Sequence, residues 1–170
     1  MTDENPTVDT VMKQNIVVKR IIDAPLALVW KAWTDPELVK RWWGPKDYTS
    51  PSAKIDLRVG GKFVFCMRAP LEQGGGDSYT AGVYKQIVPM ELLEFTQGLA
   101  DKDGNRIDPA QLGMPPDFPE EICTTVAFKT KSDMTEITIT EYDWPVGQMM
   151  VYSLAGMHQS IDKLAETLAS

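Results

Sequence analysis

Few residues in this 170-residue chain are suited to acid–base or metal chemistry. The single histidine, His158, follows Met157 in a segment with helical periodicity. No second histidine stands at a metal-ligand spacing, and the chain has no G-x-S-x-G nucleophile motif. A histidine without a nucleophile or ligand partner is more readily interpreted as a surface or partly buried helix residue than as a base. We therefore predict no catalytic residue, no metal site and no cofactor.

Glu141 is the other acid–base candidate. Ile137 and Ile139 share its parity in a segment that alternates with period two, so its side chain could point inward near a cavity mouth. The alternative, an exposed carboxylate at a strand end, is the more ordinary placement and is slightly favoured. If Glu141 is buried, desolvation would raise its pKa and make it the best acid–base candidate.

Glycines and cysteines indicate structure rather than chemistry. "VGGKF" (59–63) and "GGGD" (74–77) lack the lysine spacing and the following helix of a phosphate-binding loop, so turns are predicted. Cys66 and Cys123 lie far apart in apolar runs without a CxxC pair, which predicts reduced, structural side chains.

The elements that must position these residues follow from the hydrophobic periods. "NIVVKRIID" (15–23) predicts a strand after a flexible leader at 1–14. A helix follows from Pro25, with Asp23 placed as its N-cap, and ends before Pro36. Asp35 is predicted to cap a second short helix that ends at Gly44-Pro45.

Period two then governs residues 48–142, which predicts six strands joined at Gly60-Gly61, Pro89 and Ser132-Asp133. The aperiodic 101–121 segment, rich in Gly, Pro and Asp, predicts a long surface loop. Residues 146–168 predict one helix, whose apolar stripe consists of Met150, Leu154, Met157, Ile161, Leu164 and Leu168. The fold class is therefore α+β: a curved antiparallel sheet of six to seven strands wrapped round a long C-terminal helix, with two short helices after the first strand.

Alternation assigns apolar side chains to the concave face of this sheet. Phe63, Phe65 and Met67 share one face, with Tyr84 and Phe95 as inward neighbours. The final helix adds Met149, Met150 and Met157. Methionine suits adaptable apolar sites, although ordinary core filling is an equally good explanation.

The stretch "WTDPELVKRWWGP" (33–45) concentrates tryptophan near the two short helices. Trp30 and Trp33 share a helical face and are predicted to pack on the sheet end. Trp42 and Trp43 are adjacent and cannot share a face. Because Leu38 lies four residues before Trp42, we predict Trp42 inward at a cavity mouth and Trp43 outward.

The composition limits the choice of partners. A net charge of −7 without a basic stripe argues against nucleic acid. No apolar run is long enough for a membrane span, and the polar, acidic N-terminal segment does not resemble a signal peptide, so a cytoplasmic location is expected.

Three segments carry a family resemblance: "DAPLALVWKAWTDPELVKRWWGP", "IDLRVGGKFVFCMR" and "GVYKQIVPMELLEFT". Over residues 15–168 the chain resembles the bacterial branch of the START-like (SRPBCC, birch-pollen-allergen-type) superfamily, and within it the proteins named after the C-terminal domain of the heat-shock-protein-90 ATPase activator. The resemblance implies a helix-grip fold with a cavity between sheet and helix, and relatives that bind apolar small molecules or act as cyclases. The chain departs from the family in two places, at "AGMHQSIDKL", where relatives often carry tryptophan, and in the long 101–121 loop.

The predicted function is to hold an apolar or amphipathic small molecule in that cavity. A cyclase- or hydrolase-like enzyme using Tyr84, Glu141 or His158 stays open as an alternative, as does a co-chaperone-like interaction module around Trp43 or the 101–121 loop. A chaperone partner is not expected, and a homodimer is left open. The predicted ligand contacts are Trp42, Phe63, Phe65, Met67, Tyr84, Phe95, Glu141, Met150, Leu154, Met157 and Ile161.

Overall fold

A computed structural model describes residues 12–169. Within them lie seven strands, β1 (Lys13–Ile22), β2 (Ala53–Ile55), β3 (Lys62–Arg68), β4 (Asp77–Val88), β5 (Leu92–Ala100), β6 (Ile122–Lys131) and β7 (Met134–Pro145). The α-helices of this region are α1 (Leu26–Thr34), α2 (Pro36–Trp42) and α3 (Gln148–Ala169).

The strands form one antiparallel sheet in the order β1-β7-β6-β5-β4-β3-β2. Consecutive strands from β2 to β7 are neighbours, and β1 pairs with β7 at the far edge. The core lies between this sheet and α3, where Ile161 and Leu164 are buried with Val18, Ile137 and Ile139. The predicted α+β architecture is confirmed, including the strand number, the two short helices and the long terminal helix.

The two short helices begin and end where proline and aspartate require. α1 ends at Thr34 because Pro36 disfavours a helical conformation in Asp35, whose φ and ψ are −98° and 117°. The Asp35 carboxylate then accepts a hydrogen bond of 2.9 Å from the Glu37 amide and caps α2, as predicted. The predicted cap at Asp23 is wrong: Pro25 occupies the N-cap position of α1 without a side-chain hydrogen bond, and Asp23 is exposed.

The 101–121 segment is a loop, as predicted, with one short 3₁₀ turn at Pro109–Leu112. Near its start, Gly104 packs against Val64 on the outer face of the sheet. Near its end, Phe118 contacts Trp144 edge-to-face, with ring centroids 5.9 Å apart. The loop therefore runs from the outer face of the sheet to the end of β7.

The predicted leader at 1–14 falls mostly outside the described residues, and Lys13 and Gln14 belong to β1. Within residues 12–169, no helix combines the length and the apolar character needed to cross a membrane.

Candidate functional site

A cavity of about 500 Å³ lies between the first half of α3 and the sheet. The end of α2 and the loop after it form one wall, and residues near the end of the 101–121 loop form another. Strands β5, β6 and β7 supply the floor through Phe95, Ile122 and Ile139. The cavity is largely apolar and only partly closed.

Six of the predicted ligand contacts line this cavity. They are Trp42, Met67, Phe95, Glu141, Met157 and Ile161. Their contact with a ligand stays a prediction.

The other five predicted contacts lie outside the lining. Phe63, Phe65 and Tyr84 are buried in an aromatic cluster, in which Phe63 packs on Phe95 with ring centroids 5.3 Å apart. They therefore support the cavity wall from behind. Met150 and Leu154 are half-buried against the core, farther round the surface of α3.

Both tryptophans of the adjacent pair face the cavity. Trp42 is only 1% exposed, which confirms its inward placement. The outward placement of Trp43 is wrong: it is half-buried, lines the cavity and meets Phe65 edge-to-face at 4.8 Å. α2 ends at Trp42, so Trp43 is already extended, with φ −63° and ψ 131°, and the helical geometry that would separate two neighbouring side chains no longer applies.

Trp30 packs against the sheet, as predicted, whereas the ring contact of Trp33 is with α2. Trp30 meets Phe128 of β6 edge-to-face at 5.1 Å, and Trp33 contacts Trp42 at 4.7 Å. Trp33 also lines the cavity.

Glu141 carries most of the polar chemistry of the cavity. Gln97 donates to its Oε2 atom at 2.9 Å, and its Oε1 atom accepts from the Trp144 indole at 3.2 Å and from the Ser153 hydroxyl at 3.4 Å. Gln97 also donates to Thr124 at 3.0 Å, which uses both protons of its amide. This polar cluster joins β5, β6, β7 and α3 beneath the cavity.

Burial dominates the electrostatics of Glu141. Only 6% of the residue is exposed, so the expectation of an exposed strand-end carboxylate is wrong. Desolvation raises the pKa of the carboxyl to about 7, and the hydrogen bonds from Trp144 and Ser153 oppose that rise. No ion pair to Glu141 exists within residues 12–169. Glu141 therefore exchanges a proton near neutral pH.

A break in the alternation of β7 brings Trp144 to Glu141. Residues three apart in a regular strand point to opposite faces. Here Asp143 has φ +60° and its amide donates to the Asn15 side chain at 3.1 Å, where the β1–β7 register shifts between Gln14 and Ile16. The bulge turns the chain, so Glu141 and Trp144 face the same side. Simple alternation from Ile139 would have placed Trp144 outside.

Gln97 and Thr124 were also missed, although a signal for each was present. Gln97 stands two residues after Phe95, and Thr124 stands two before Val126, so alternation places both on the concave face. The contribution of Phe118 from the long loop had no such signal, because the loop has no period.

The remaining acid–base candidates lie away from this cluster. His158 is exposed on α3 and does not line the cavity, which confirms its interpretation as a helix-surface residue. Tyr84 is buried behind the wall, and desolvation raises the pKa of its phenol. Residues 12–169 contain no group of three or more His, Cys, Asp or Glu side chains arranged to hold a metal ion.

Comparisons with known proteins agree with this architecture. The chain is similar to a crystal structure of a protein from Nitrosomonas europaea, at 23% identity and TM-score 0.71 over 91% of this chain and 94% of that one. It is also similar to a solution structure of a protein from Arthrobacter aurescens, at 24% identity and TM-score 0.72 over 94% and 91%.

A third similar structure is an Activator of Hsp90 ATPase homolog 1-like protein from Aeromonas hydrophila, at 21% identity and TM-score 0.68 over 92% of each chain. At these identities the likeness shows the fold. No curated protein matches the sequence. The family model described as Activator of Hsp90 ATPase homolog 1-like protein matches residues 23–169, and the chain therefore belongs to that family.

Proposed function

We propose that this protein binds an apolar or amphipathic small molecule in the cavity between α3 and the sheet. The observation that carries the proposal is a mostly apolar cavity of about 500 Å³ with one buried polar cluster at its floor. Ligand sites commonly enclose 300–1,000 Å³ and combine apolar walls with a few convergent polar groups.

Packing considerations support a ligand. Protein interiors are close-packed, and voids larger than a water molecule are few. Here the bulky side chains of Trp42, Phe95 and Met157 surround open space. Flexible methionines at Met67, Met149 and Met157 suit a wall that adapts to an occupant.

The buried carboxyl supports the same conclusion. Burying Glu141 disfavours its charged form, and an apolar residue in its place would avoid that cost. A polar group that faces a cavity can orient a ligand, and this function explains why a polar side chain occupies a buried position.

An enzyme is the second candidate, favoured by one observation: a proton-exchanging Glu141 faces the cavity. Acid–base catalysis usually requires a second reacting or positioning group. The other ionisable side chains in the lining are the phenols of Tyr48 and Tyr152, and neither is hydrogen-bonded to Glu141 within the described region. Binding therefore explains the site with fewer assumptions.

The interaction-module alternative loses one of its two predicted surfaces, the one around Trp43. Trp43 contacts Phe65 instead of facing solvent. The exposed apolar residues on α3, Val151 and Tyr152, are too few to form a large docking patch.

The test uses N-phenyl-1-naphthylamine, an apolar dye that fluoresces on entering an apolar site. We expect the folded wild-type protein to bind one molecule of dye and to transfer energy to it from the cavity tryptophans. The Met157→Trp variant should weaken dye binding at least tenfold with little change in melting temperature, because the added volume enters existing space instead of a filled core.

Val151→Trp is the matched control. It adds an indole to the same helix, at an exposed position outside the lining. It should leave dye binding unchanged. Failure of the wild type to bind the dye, or a strongly destabilised Met157→Trp protein, would contradict the proposal.

A further inference from the structure

The lining of the cavity has an unbalanced charge. Among the described residues that form it, Glu141 is the one carboxylate, and no lysine, arginine or histidine is present. Lys163 follows the lining residues Ser160 and Ile161 on α3, but its amine donates to the carbonyls of Pro45 and Tyr48 at 3.1 and 3.0 Å. Within residues 12–169, no positive side chain therefore lies in the cavity lining to meet a bound anion.

Glu141 also retains capacity for another donor. A carboxylate offers about four acceptor positions. Trp144, Ser153 and Gln97 supply three hydrogen bonds, and all three donors are neutral. The charged form of Glu141 therefore lacks a counter-charge and can accept a further N–H bond from the cavity side.

The walls beside this carboxylate are aromatic. Trp144 is bonded to Glu141, and Phe118 lies edge-to-face with Trp144 at 5.9 Å. Trp42 and Trp43 also line the cavity. Aromatic faces attract cations, and the interaction strengthens where water is excluded. The net charge of −7 adds a weak long-range attraction for positive ligands.

We infer that the cavity selects organic cations, namely apolar molecules that carry one protonated amine, and that this amine bonds to Glu141. The inference rests on the proposed binding function and specifies its ligand class. A carboxylate amphiphile would place a second negative charge beside Glu141 without a basic residue to balance it. A neutral alcohol would gain one hydrogen bond and no charge pairing.

The experiment compares three ten-carbon probes that differ only in the head group: decylamine, 1-decanol and decanoate. Each displaces N-phenyl-1-naphthylamine from the wild-type protein at pH 8, below its micelle concentration. Decylamine should displace the dye at a concentration lower than decanol by on the order of ten- to a hundredfold, which corresponds to one charge-assisted hydrogen bond. Decanoate should be the weakest competitor.

Glu141→Gln tests the residue directly. This variant keeps the shape of the side chain and should lose the preference for decylamine over decanol. If the variant does not fold, the pH series on the wild type decides. Decylamine affinity should rise between pH 6 and pH 8 as Glu141 ionises, because an alkyl amine stays protonated over that range. Decanol affinity should stay flat.

Among residues 12–169, the side chains that pair or hydrogen-bond with Glu141 carry no charge that would account for such a change. They are Ile16 of β1, Gln97 of β5, Thr124 of β6, Trp144 of β7 and Ser153 of α3. The other ionisable side chains in the described lining are the phenols of Tyr48 and Tyr152, and neither is hydrogen-bonded to Glu141.

The possible failures are distinguishable. Absence of dye binding would overturn the proposed function itself. Dye binding with equal displacement by decanol and decylamine would overturn only the ligand class. Strongest displacement by decanoate, or an amine preference that survives in Glu141→Gln, would overturn it as well.

Discussion

The indole N–H of Trp42 donates a hydrogen bond of 2.9 Å to the backbone carbonyl of Ala32. In a continuous helix that carbonyl would accept from the amide of residue 36, but Pro36 has no N–H. The proline that begins α2 thus leaves a buried carbonyl open, and the tryptophan at the end of the same helix satisfies it. The six-residue spacing between Pro36 and Trp42 therefore has a physical explanation: the indole takes the place of the N–H that Pro36 lacks.

Trp42→Phe should lower the free energy of unfolding by about 2–4 kcal/mol, because it removes this bond and leaves a small void. Trp33→Phe is the matched control. The Trp33 N–H is buried without a hydrogen-bond partner within the described region, so its removal relieves an unsatisfied donor. The Trp33 variant should therefore lose less stability in urea unfolding. A larger loss in Trp33→Phe would contradict the role assigned to the Trp42 hydrogen bond.

Local patterns were sufficient for most of the fold. Pro36, the Asp35 cap and the shift from period two to period 3.6 near Pro145 depend on neighbours in sequence, and their elements form where predicted. The parity of Phe63, Phe65 and Met67 was correct for the same reason. Alternation alone, however, does not separate a side chain that lines a cavity from one that fills the core behind it.

The site needed information from distant residues. Trp144 reaches Glu141 only because Asp143 bulges against Asn15, which lies 128 positions earlier in the chain. Burial of Glu141 depends on Gln97 of β5 and Ser153 of α3, which are separated from it by 44 and 12 positions. A local hydrophobic period contains no information about such distant contacts. From the sequence, a raised pKa of Glu141 could therefore be predicted only for the case that its side chain is buried.

Gly82 should be intolerant of any side chain. It pairs with Phe63 across β3 and β4, and an added Cβ would overlap both the Phe63 ring and the Thr96 carbonyl. Gly82→Ala should cost about 1–3 kcal/mol or more, because the buried aromatic cluster behind the cavity must move. Gly76→Ala is the control, since nothing lies near its added Cβ. Equal melting temperatures for the two variants would show that the aromatic cluster around Phe63 rearranges at little cost in stability.

His158→Ala should leave both folding and dye binding almost unchanged. The side chain is exposed on α3 and lies outside the cavity lining. We expect a change in unfolding free energy within about 0.5 kcal/mol, as for ordinary surface substitutions. Unfolding in urea and displacement of N-phenyl-1-naphthylamine measure the two properties. If an activity is discovered, a large loss in a stable His158→Ala protein would favour the enzyme alternative.

The stability of the protein should depend on pH through Glu141. Its pKa is about 7 in the folded protein, against an ordinary value near 4.5 in the unfolded chain. Between these values the folded state binds more protons than the unfolded state, so stability decreases as pH rises. The contribution of the protonated carboxyl is complete below about pH 4.5 and is lost as pH rises through 7. This difference between the folded and unfolded pKa values of Glu141 corresponds to roughly 3 kcal/mol of unfolding free energy.

Glu141→Gln isolates this effect, because glutamine has nearly the same shape and does not titrate. Relative to wild type, the variant should gain roughly 2–3 kcal/mol of unfolding free energy in urea between pH 5 and pH 8. The pKa values of Asp77 and Asp101 are held low by hydrogen bonds from Arg68 and from Asn105, so those residues affect stability only in more acidic solution, and equally in both proteins. A constant difference between the two proteins from pH 5 to pH 8 would mean that Glu141 stays ionised when folded. The buried carboxyl would then be stabilised by its three neutral hydrogen-bond donors to a degree that outweighs its desolvation.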